Sequence, residues 1–152
     1  MIRFVHPIAG VVAFATIATF WLSTAVSELF ASAAVVAAVK TAIPWGFLVL
    51  IPALAVAGAS GFKLARDRRP ALVERKIKRM PFVAANGIVI LVPSALFLAS
   101  KAQAGQFDAM FYGVQALELV AGAGNLVLLG LSLRDGLRLT GRLRRASRRP
   151  MD

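Results

Sequence analysis

The sequence predicts an all-α integral membrane protein: a four-helix bundle with up-down-up-down topology and with its N-terminus and C-terminus on the cytoplasmic side. Three observations predict this class. The 152 residues are 59% hydrophobic, with a mean hydropathy of +0.74. The apolar residues form four long continuous runs, whereas soluble helices alternate apolar and polar faces. Almost all the basic residues flank these runs.

Each apolar run is long enough to cross a bilayer, because about 20 helical residues span a hydrocarbon core of about 30 Å. The runs predict helices at about 5–31, 41–63, 80–101 and 108–134. We assign residues 1–138 to one transmembrane domain and 139–152 to a basic cytoplasmic tail. The first run also fits a signal peptide with a cleavage site at 31–33, but it exceeds the usual apolar length, so we expect a retained helix.

Pro52 and Pro93 lie near the middle of the second and third runs. Membrane helices tolerate central prolines where neighbouring groups satisfy the freed carbonyls. We therefore expect both helices to continue through their prolines with a kink.

The basic residues orient the chain. Arg3, a loop at 63–79 and the segment from Arg134 to the C-terminus contain 16 of the 18 lysines and arginines, which leaves Lys40 and Lys101 for the two outer turns. The positive-inside rule then places both termini and the loop in the cytoplasm. We expect anionic lipid headgroups as partners of this basic surface, and no nucleic acid. The residues expected to face lipid are Arg66, Arg68, Arg69, Arg75, Lys76, Lys78, Arg79, Arg142, Arg144 and Arg145.

Several kinds of chemistry are absent from the sequence. The chain has no cysteine, which excludes disulfides, thiolate metal sites and covalent haem attachment. It contains no nucleophile elbow, zinc-protease motif, P-loop or dinucleotide-binding fingerprint. No catalytic pair is visible, so enzymatic activity stays open and the features favour a non-enzymatic role.

The fourth helix carries the clearest candidate site. Gln115, Glu118, Gly122 and Asn125 are spaced 3, 4 and 3 residues apart and share one face, which should point into the bundle. A charged residue at the bilayer centre costs roughly 2.5–3.5 kcal/mol on insertion scales. With Lys40 placed in a turn, no basic residue lies inside a predicted span. We therefore expect a neutral Glu118, hydrogen-bonded to the first helix. It forms either a proton or cation site or a polar seam between helices.

Two further polar features lie on other helices. Thr16, Thr19, Ser23 and Ser27 share one face of the first helix and predict close packing. Glu28 lies near the outer end of that helix, where we expect it to be solvated. Asn86 and Asn125 lie at similar depths in the third and fourth helices, so a hydrogen bond between them is expected.

The segment Phe4-Val5-His6-Pro7-Ile8-Ala9-Gly10 resembles the His-Pro segments of b-type membrane cytochromes of the b561 group. The resemblance implies haem b, with His6 as an axial ligand. The family uses several histidines and this chain has one, so the second ligand would be Met80 or the His6 of a second copy in a homodimer. The whole chain also resembles small four-span bacterial proteins, which implies a multi-pass location in the bacterial inner membrane.

Two function hypotheses follow. The first is a small accessory or ligand-binding membrane subunit, redox-linked through haem or quinone, in a homodimer or a larger membrane complex. The alternative is a small proton-coupled transporter that uses Glu118. Small multidrug exporters with dual topology are disfavoured, because they require a weak charge bias and this chain has a strong one.

Overall fold

The computed structural model describes the backbone of residues 2–66 and 71–139 and the side chains of residues 4–63 and 79–136. These residues are helical apart from two short connections, which confirms the predicted all-α class for the described part. The helices are α1 (Ile2–Phe30), α2 (Ala33–Arg66), α3 (Ala71–Asn86), α4 (Val92–Gln103) and α5 (Ala109–Leu139), with a π-helical turn at Gly87–Leu91.

Within the described residues, four stretches are long and apolar enough to cross a membrane, with mean hydropathies of 1.7 to 2.2. They are Phe4–Phe30, Ala33–Lys63, Arg79–Gln103 and Ala109–Gly136. The third stretch combines the end of α3, the π-helical turn and α4. The prediction of four membrane-capable helices is thus confirmed.

The second helix begins at Ala33, whereas the sequence predicted a start near residue 41. Ala31 and Ser32 alone connect α1 to α2, and the Ser32 carbonyl accepts hydrogen bonds from the N–H groups of Val35 (2.9 Å) and Val36 (3.0 Å). Residues 33–39 contain only alanine and valine, with no glycine or proline to stop a helix. Lys40 consequently lies inside α2 and not in a turn.

The helices form a closed bundle. Helix α1 packs on α2 and α5, and α2 and α5 both pack on α4, while α3 packs mainly on α5. Among the described side chains, the buried apolar residues form two separate clusters. The first core cluster contains Ala13, Ile17, Leu50, Val83 and Leu129. The second core cluster contains Val36, Leu98, Ala102 and Phe111.

The two central prolines have different surroundings. Helix α2 runs without interruption through Pro52. In the third span a π-helical turn precedes Pro93, and the Val92 N–H bonds the Gly87 carbonyl five residues back. Because proline has no N–H to donate, the helical hydrogen-bond pattern changes at this point. The predicted continuation through both prolines holds, and the kinks themselves stay predictions.

The connection between α4 and α5 is held by Asp108. Its Oδ1 accepts a hydrogen bond from the Phe111 N–H at 2.9 Å, which is the geometry of a helix N-cap. Its Oδ2 lies 2.6 Å from Nζ of Lys101, in the last turn of α4. The hydrogen bond from Lys101 has the largest effect on Asp108, and the one from the Phe111 N–H has the next largest. Both hold the pKa of Asp108 below its usual value.

Acid should weaken this connection. Since the pKa of Asp108 is lower in the folded than in the unfolded chain, its contribution to stability is complete above its usual pKa of 3.8. The contribution is lost as the pH falls through the folded-state pKa. Asp108→Asn keeps a capping oxygen but cannot titrate, so thermal unfolding in detergent should depend less on pH below about pH 4. An identical acid dependence of thermal unfolding in both proteins would show that titration of Asp108 contributes nothing to stability.

Candidate functional site

An ion pair lies inside the bundle. Nζ of Lys40, on α2, lies 2.5 Å from Oε2 of Glu118, on α5. The Lys40 side chain is completely buried, and 13% of the Glu118 side chain is exposed. Nζ also donates a hydrogen bond to Oγ1 of Thr24, on α1, at 3.4 Å. One ammonium group thus connects three helices.

The expectation was that Glu118 has no basic partner and is hydrogen-bonded to hydroxyl groups of α1. The Lys40–Glu118 pair corrects it. The error began with the start of α2. Because α2 extends to Ala33, Lys40 lies seven residues inside the helix, about 10 Å along its axis. A lysine buried at that depth requires a counter-charge, and Glu118 supplies it.

The ion pair lies between the two core clusters. In α2, Lys40 comes after Val36 of the second core cluster and before Leu50 of the first; in α5, Glu118 comes between Phe111 and Leu129 of the same clusters. Apolar surroundings strengthen the attraction between opposite charges. They also make an unpaired charge there costly.

A second carboxylate lies beside the pair. Glu28, near the end of α1, interacts electrostatically with both Lys40 and Glu118. Its Oε1 is buried and has no hydrogen-bond partner within the described residues. The expectation of a solvated Glu28 is therefore wrong for this oxygen. With all three groups ionised, two carboxylates and one ammonium give the cluster a net charge of −1.

Gln115 is the most unusual neutral residue of the site. Only 4% of it is exposed, and neither Nε2 nor Oε1 has a hydrogen-bond partner in the described part of the chain. It precedes Glu118 by three residues and so shares its face of α5. Buried amides are normally paired, and an unpaired polar group costs about 1–3 kcal/mol. This side chain is therefore poorly explained by packing alone. We name Glu28, Lys40, Gln115 and Glu118 the charged cluster.

The other two predicted site residues form a separate contact. Nδ2 of Asn86 donates to Oδ1 of Asn125 at 2.9 Å and to the Ala121 carbonyl at 2.8 Å. Nδ2 of Asn125 donates to the Val83 carbonyl at 3.3 Å. The expected Asn86–Asn125 hydrogen bond is confirmed. Because these amides satisfy one another and the backbone, the contact suits the joining of α3 to α5.

Within the described part of the chain, the hydroxyl face of α1 does not join helices by hydrogen bonds. Thr16 and Thr19 donate to carbonyls four residues back in α1, at 2.8 and 2.9 Å. Ser23 and Ser27 donate to carbonyls three residues back, both at 3.0 Å. The hydroxyl that contacts another helix is that of Thr24, through Lys40.

His6 lies on α1 against α2. Its Nδ1 is 3.0 Å from the Ala57 carbonyl and 2.9 Å from Oγ of Ser60. Ser60 gives its own hydroxyl proton to a backbone carbonyl of α2, so Nδ1 of His6 acts as the donor. Met80 is partly buried in α3, and α1 and α3 do not contact each other within the described residues. The structure therefore does not bring the two predicted haem ligands together.

Of the predicted lipid-facing basic residues, Arg79 alone has a described side chain. Its Nη1 lies 2.9 Å from Oδ2 of Asp135, a residue of α5 whose side chain is 3% exposed. Sequence reasoning missed Asp135. This residue lies at the end of the fourth span, and Arg79 lies at the start of the third. The remaining side chains lie outside the described residues: Arg66, Arg68, Arg69, Arg75, Lys76, Lys78, Arg142, Arg144 and Arg145.

Comparison with known proteins identifies no relative. The sequence matches no protein-family model, and no curated protein and no solved structure shows significant similarity to it. The charged cluster is therefore interpreted from its own geometry.

The Lys40–Glu118 pair should show strong coupling in a double-mutant cycle. Lys40→Met and Glu118→Leu each remove one partner of the direct ion pair and should each cost about 3–5 kcal/mol. The double variant removes both charges and should recover most of that loss. Unfolding of the three variants in detergent measures the coupling, and Lys101→Met, at the exposed pair, is the control with little expected effect. Strictly additive losses would show that the two side chains do not interact.

Proposed function

We propose that this chain is a four-span membrane protein with up-down-up-down topology that exchanges a proton at the charged cluster, as a small proton-coupled transporter does. The single observation that carries the proposal is the arrangement of two carboxylates around one buried ammonium group. Ionisable residues inside membrane spans are costly, and they commonly mark proton relays and ion pathways.

The contacts support the topology. His6 contacts Ala57 near one end of α1 and α2, and Thr24 contacts Lys40 near the other, so residue numbers rise in one helix as they fall in its neighbour. Arg79–Asp135 and Lys101–Asp108 relate the last two spans in the same way. The positive-inside rule then favours cytoplasmic termini.

We also propose a location in the bacterial inner membrane. The basic segments beside the membrane-capable helices favour contact with anionic lipid there. Association into a homodimer or a larger membrane complex belongs to the same proposal.

The charges favour proton exchange over a purely structural ion pair. A structural pair needs only Lys40 and Glu118, and the addition of Glu28 gives the cluster an uncompensated negative charge. One bound proton neutralises the site in its apolar surroundings. Helix α4 contributes the apolar Leu98 and Ala102 to the adjoining core cluster. Its Lys101 is bonded to Asp108, so it does not supply the missing positive charge.

The unsatisfied groups also favour function. Oε1 of Glu28 and both amide atoms of Gln115 lack partners among the described residues, although lipid offers them none. Such groups can accept and donate hydrogen bonds to a proton carrier, which a satisfied seam such as Asn86–Asn125 cannot do.

Proton movement through reconstituted protein tests the proposal. Proteoliposomes that enclose a pH-sensitive dye should acidify when a valinomycin-driven potassium diffusion potential is applied. Glu118→Gln and Glu28→Gln should reduce the initial rate at least about 100-fold, the lower end of the contribution of a positioned proton-transfer group. Asp108→Asn, outside the spans, should leave the rate unchanged. Wild-type rates equal to those of protein-free liposomes, or equal rates in all variants, would overturn the proposal.

One observation favours the second candidate, a haem-linked accessory subunit. Ligating histidines usually donate their second ring N–H to a carbonyl or carboxylate, and Nδ1 of His6 is held by the Ala57 carbonyl in this way. This candidate expects a haem absorbance band in protein purified after haem-replete expression, lost in His6→Ala and kept in Ser60→Ala. A colourless wild-type preparation would exclude it.

A further inference from the structure

The register between α1 and α5 brings the two unsatisfied side chains to one level. Nε1 of Trp21 donates to the Leu119 carbonyl at 2.9 Å, and the Trp21 ring lies beside Gly122 while Phe14 lies beside Gly130. Residue numbers in these contacts rise in α1 as they fall in α5. Continued for two turns, the same register places Glu28 opposite residues near Gln115.

The two side chains offer complementary chemistry. Glu28 presents a carboxylate oxygen, and Gln115 presents an amide oxygen and an N–H group, all without partners in the described structure. Two oxygens of this kind are the ligands that small hard cations prefer. They also accept hydrogen bonds from a protonated amine. The ammonium of Lys40 is already engaged by Glu118 and Thr24.

The net charge of the charged cluster determines the charge that a ligand should carry. The charged cluster carries −1 when Glu28, Lys40 and Glu118 are ionised, so a ligand of charge +1 makes it neutral. A divalent ion would leave the site positive. Within the described residues, no group of three or more histidine, cysteine, aspartate or glutamate side chains is arranged to hold a metal ion.

We propose that Glu28 and Gln115 form a binding position for a small monovalent cation, which replaces the exchangeable proton of the charged cluster. This inference rests on the proposed proton exchange and names the substrate class of the same site. The exchange balances: protonated Glu28 and a free cation give the Glu28 carboxylate with its bound cation and one released proton. Two sources share this chemistry, an alkali ion and a small protonated amine.

Proton release on cation addition tests the inference. Purified protein in weakly buffered detergent, with N-methylglucamine as the sole cation, receives Na⁺, K⁺ or methylammonium at constant ionic strength. A pH electrode measures release, and infrared difference spectra follow the carboxylic-acid carbonyl band. We expect one proton released per cation bound, with loss of that band. Release by Na⁺ or K⁺ identifies an alkali ion, and release by methylammonium identifies an amine.

Substitutions of Glu28 and Gln115 test whether these two residues form the cation-binding position. Glu28→Gln should abolish proton release. Glu28→Asp keeps a carboxyl group and should retain release, which shows that the fold tolerates substitution at this position. Gln115→Leu should weaken cation affinity roughly tenfold, because one interaction with a charged ligand is lost. Asp108→Asn should behave as wild type. Absence of release with all three cations, or full release in Glu28→Gln, overturns the inference. If liposomes still show Glu118-dependent proton movement in that case, the proposed function stands without the cation.

Discussion

A buried lysine must have a counter-charge, and the arrangement of this bundle depends on that requirement. Lys40 is completely buried with Glu118 at 2.5 Å, between the two core clusters. The pair fixes α2 against α5, and the bond to Thr24 adds α1. Without Glu118 the ammonium would lose the carboxylate in direct contact with it, and breaking a buried ion pair by removing one partner is strongly destabilising. Helix packing and the candidate site therefore depend on the same contact.

The proposed function rests on the charge that the Lys40–Glu118 pair leaves unbalanced. Had the cluster ended at Lys40 and Glu118, its charge would be zero and a structural role would suffice. Glu28, when ionised, adds a negative charge, and Gln115 adds an amide whose polar atoms have no partner in the described structure. Membrane proteins retain such costly groups mainly where they carry ions or protons. By contrast, the Asn86–Asn125 contact is satisfied and joins helices without excess charge.

The four membrane-capable helices could be predicted because hydropathy follows directly from composition along the chain. The Asn86–Asn125 bond could be predicted as well, since depth follows from counting residues in a helix. The partner of Glu118 could not be predicted in this way. The basic-residue pattern places Lys40 in a turn. The signal that α2 begins earlier is the alanine- and valine-rich segment before Lys40, because it contains no residue that stops a helix. The burial of Oε1 of Glu28 and the Arg79–Asp135 pair depend on packing between helices distant in sequence, which local patterns do not specify.

The most direct test of this account is the distance between Lys40 and Glu118 in a lipid bilayer. Solid-state NMR can measure the dipolar coupling between ¹⁵N-labelled Nζ of Lys40 and the ¹³C-labelled side-chain carboxyl of Glu118. The account predicts a coupling that corresponds to a separation of about 4 Å or less, as in a direct ion pair. Absence of coupling, together with magnetisation transfer from water to the Lys40 ammonium, would contradict it, because the lysine would then be hydrated and unpaired.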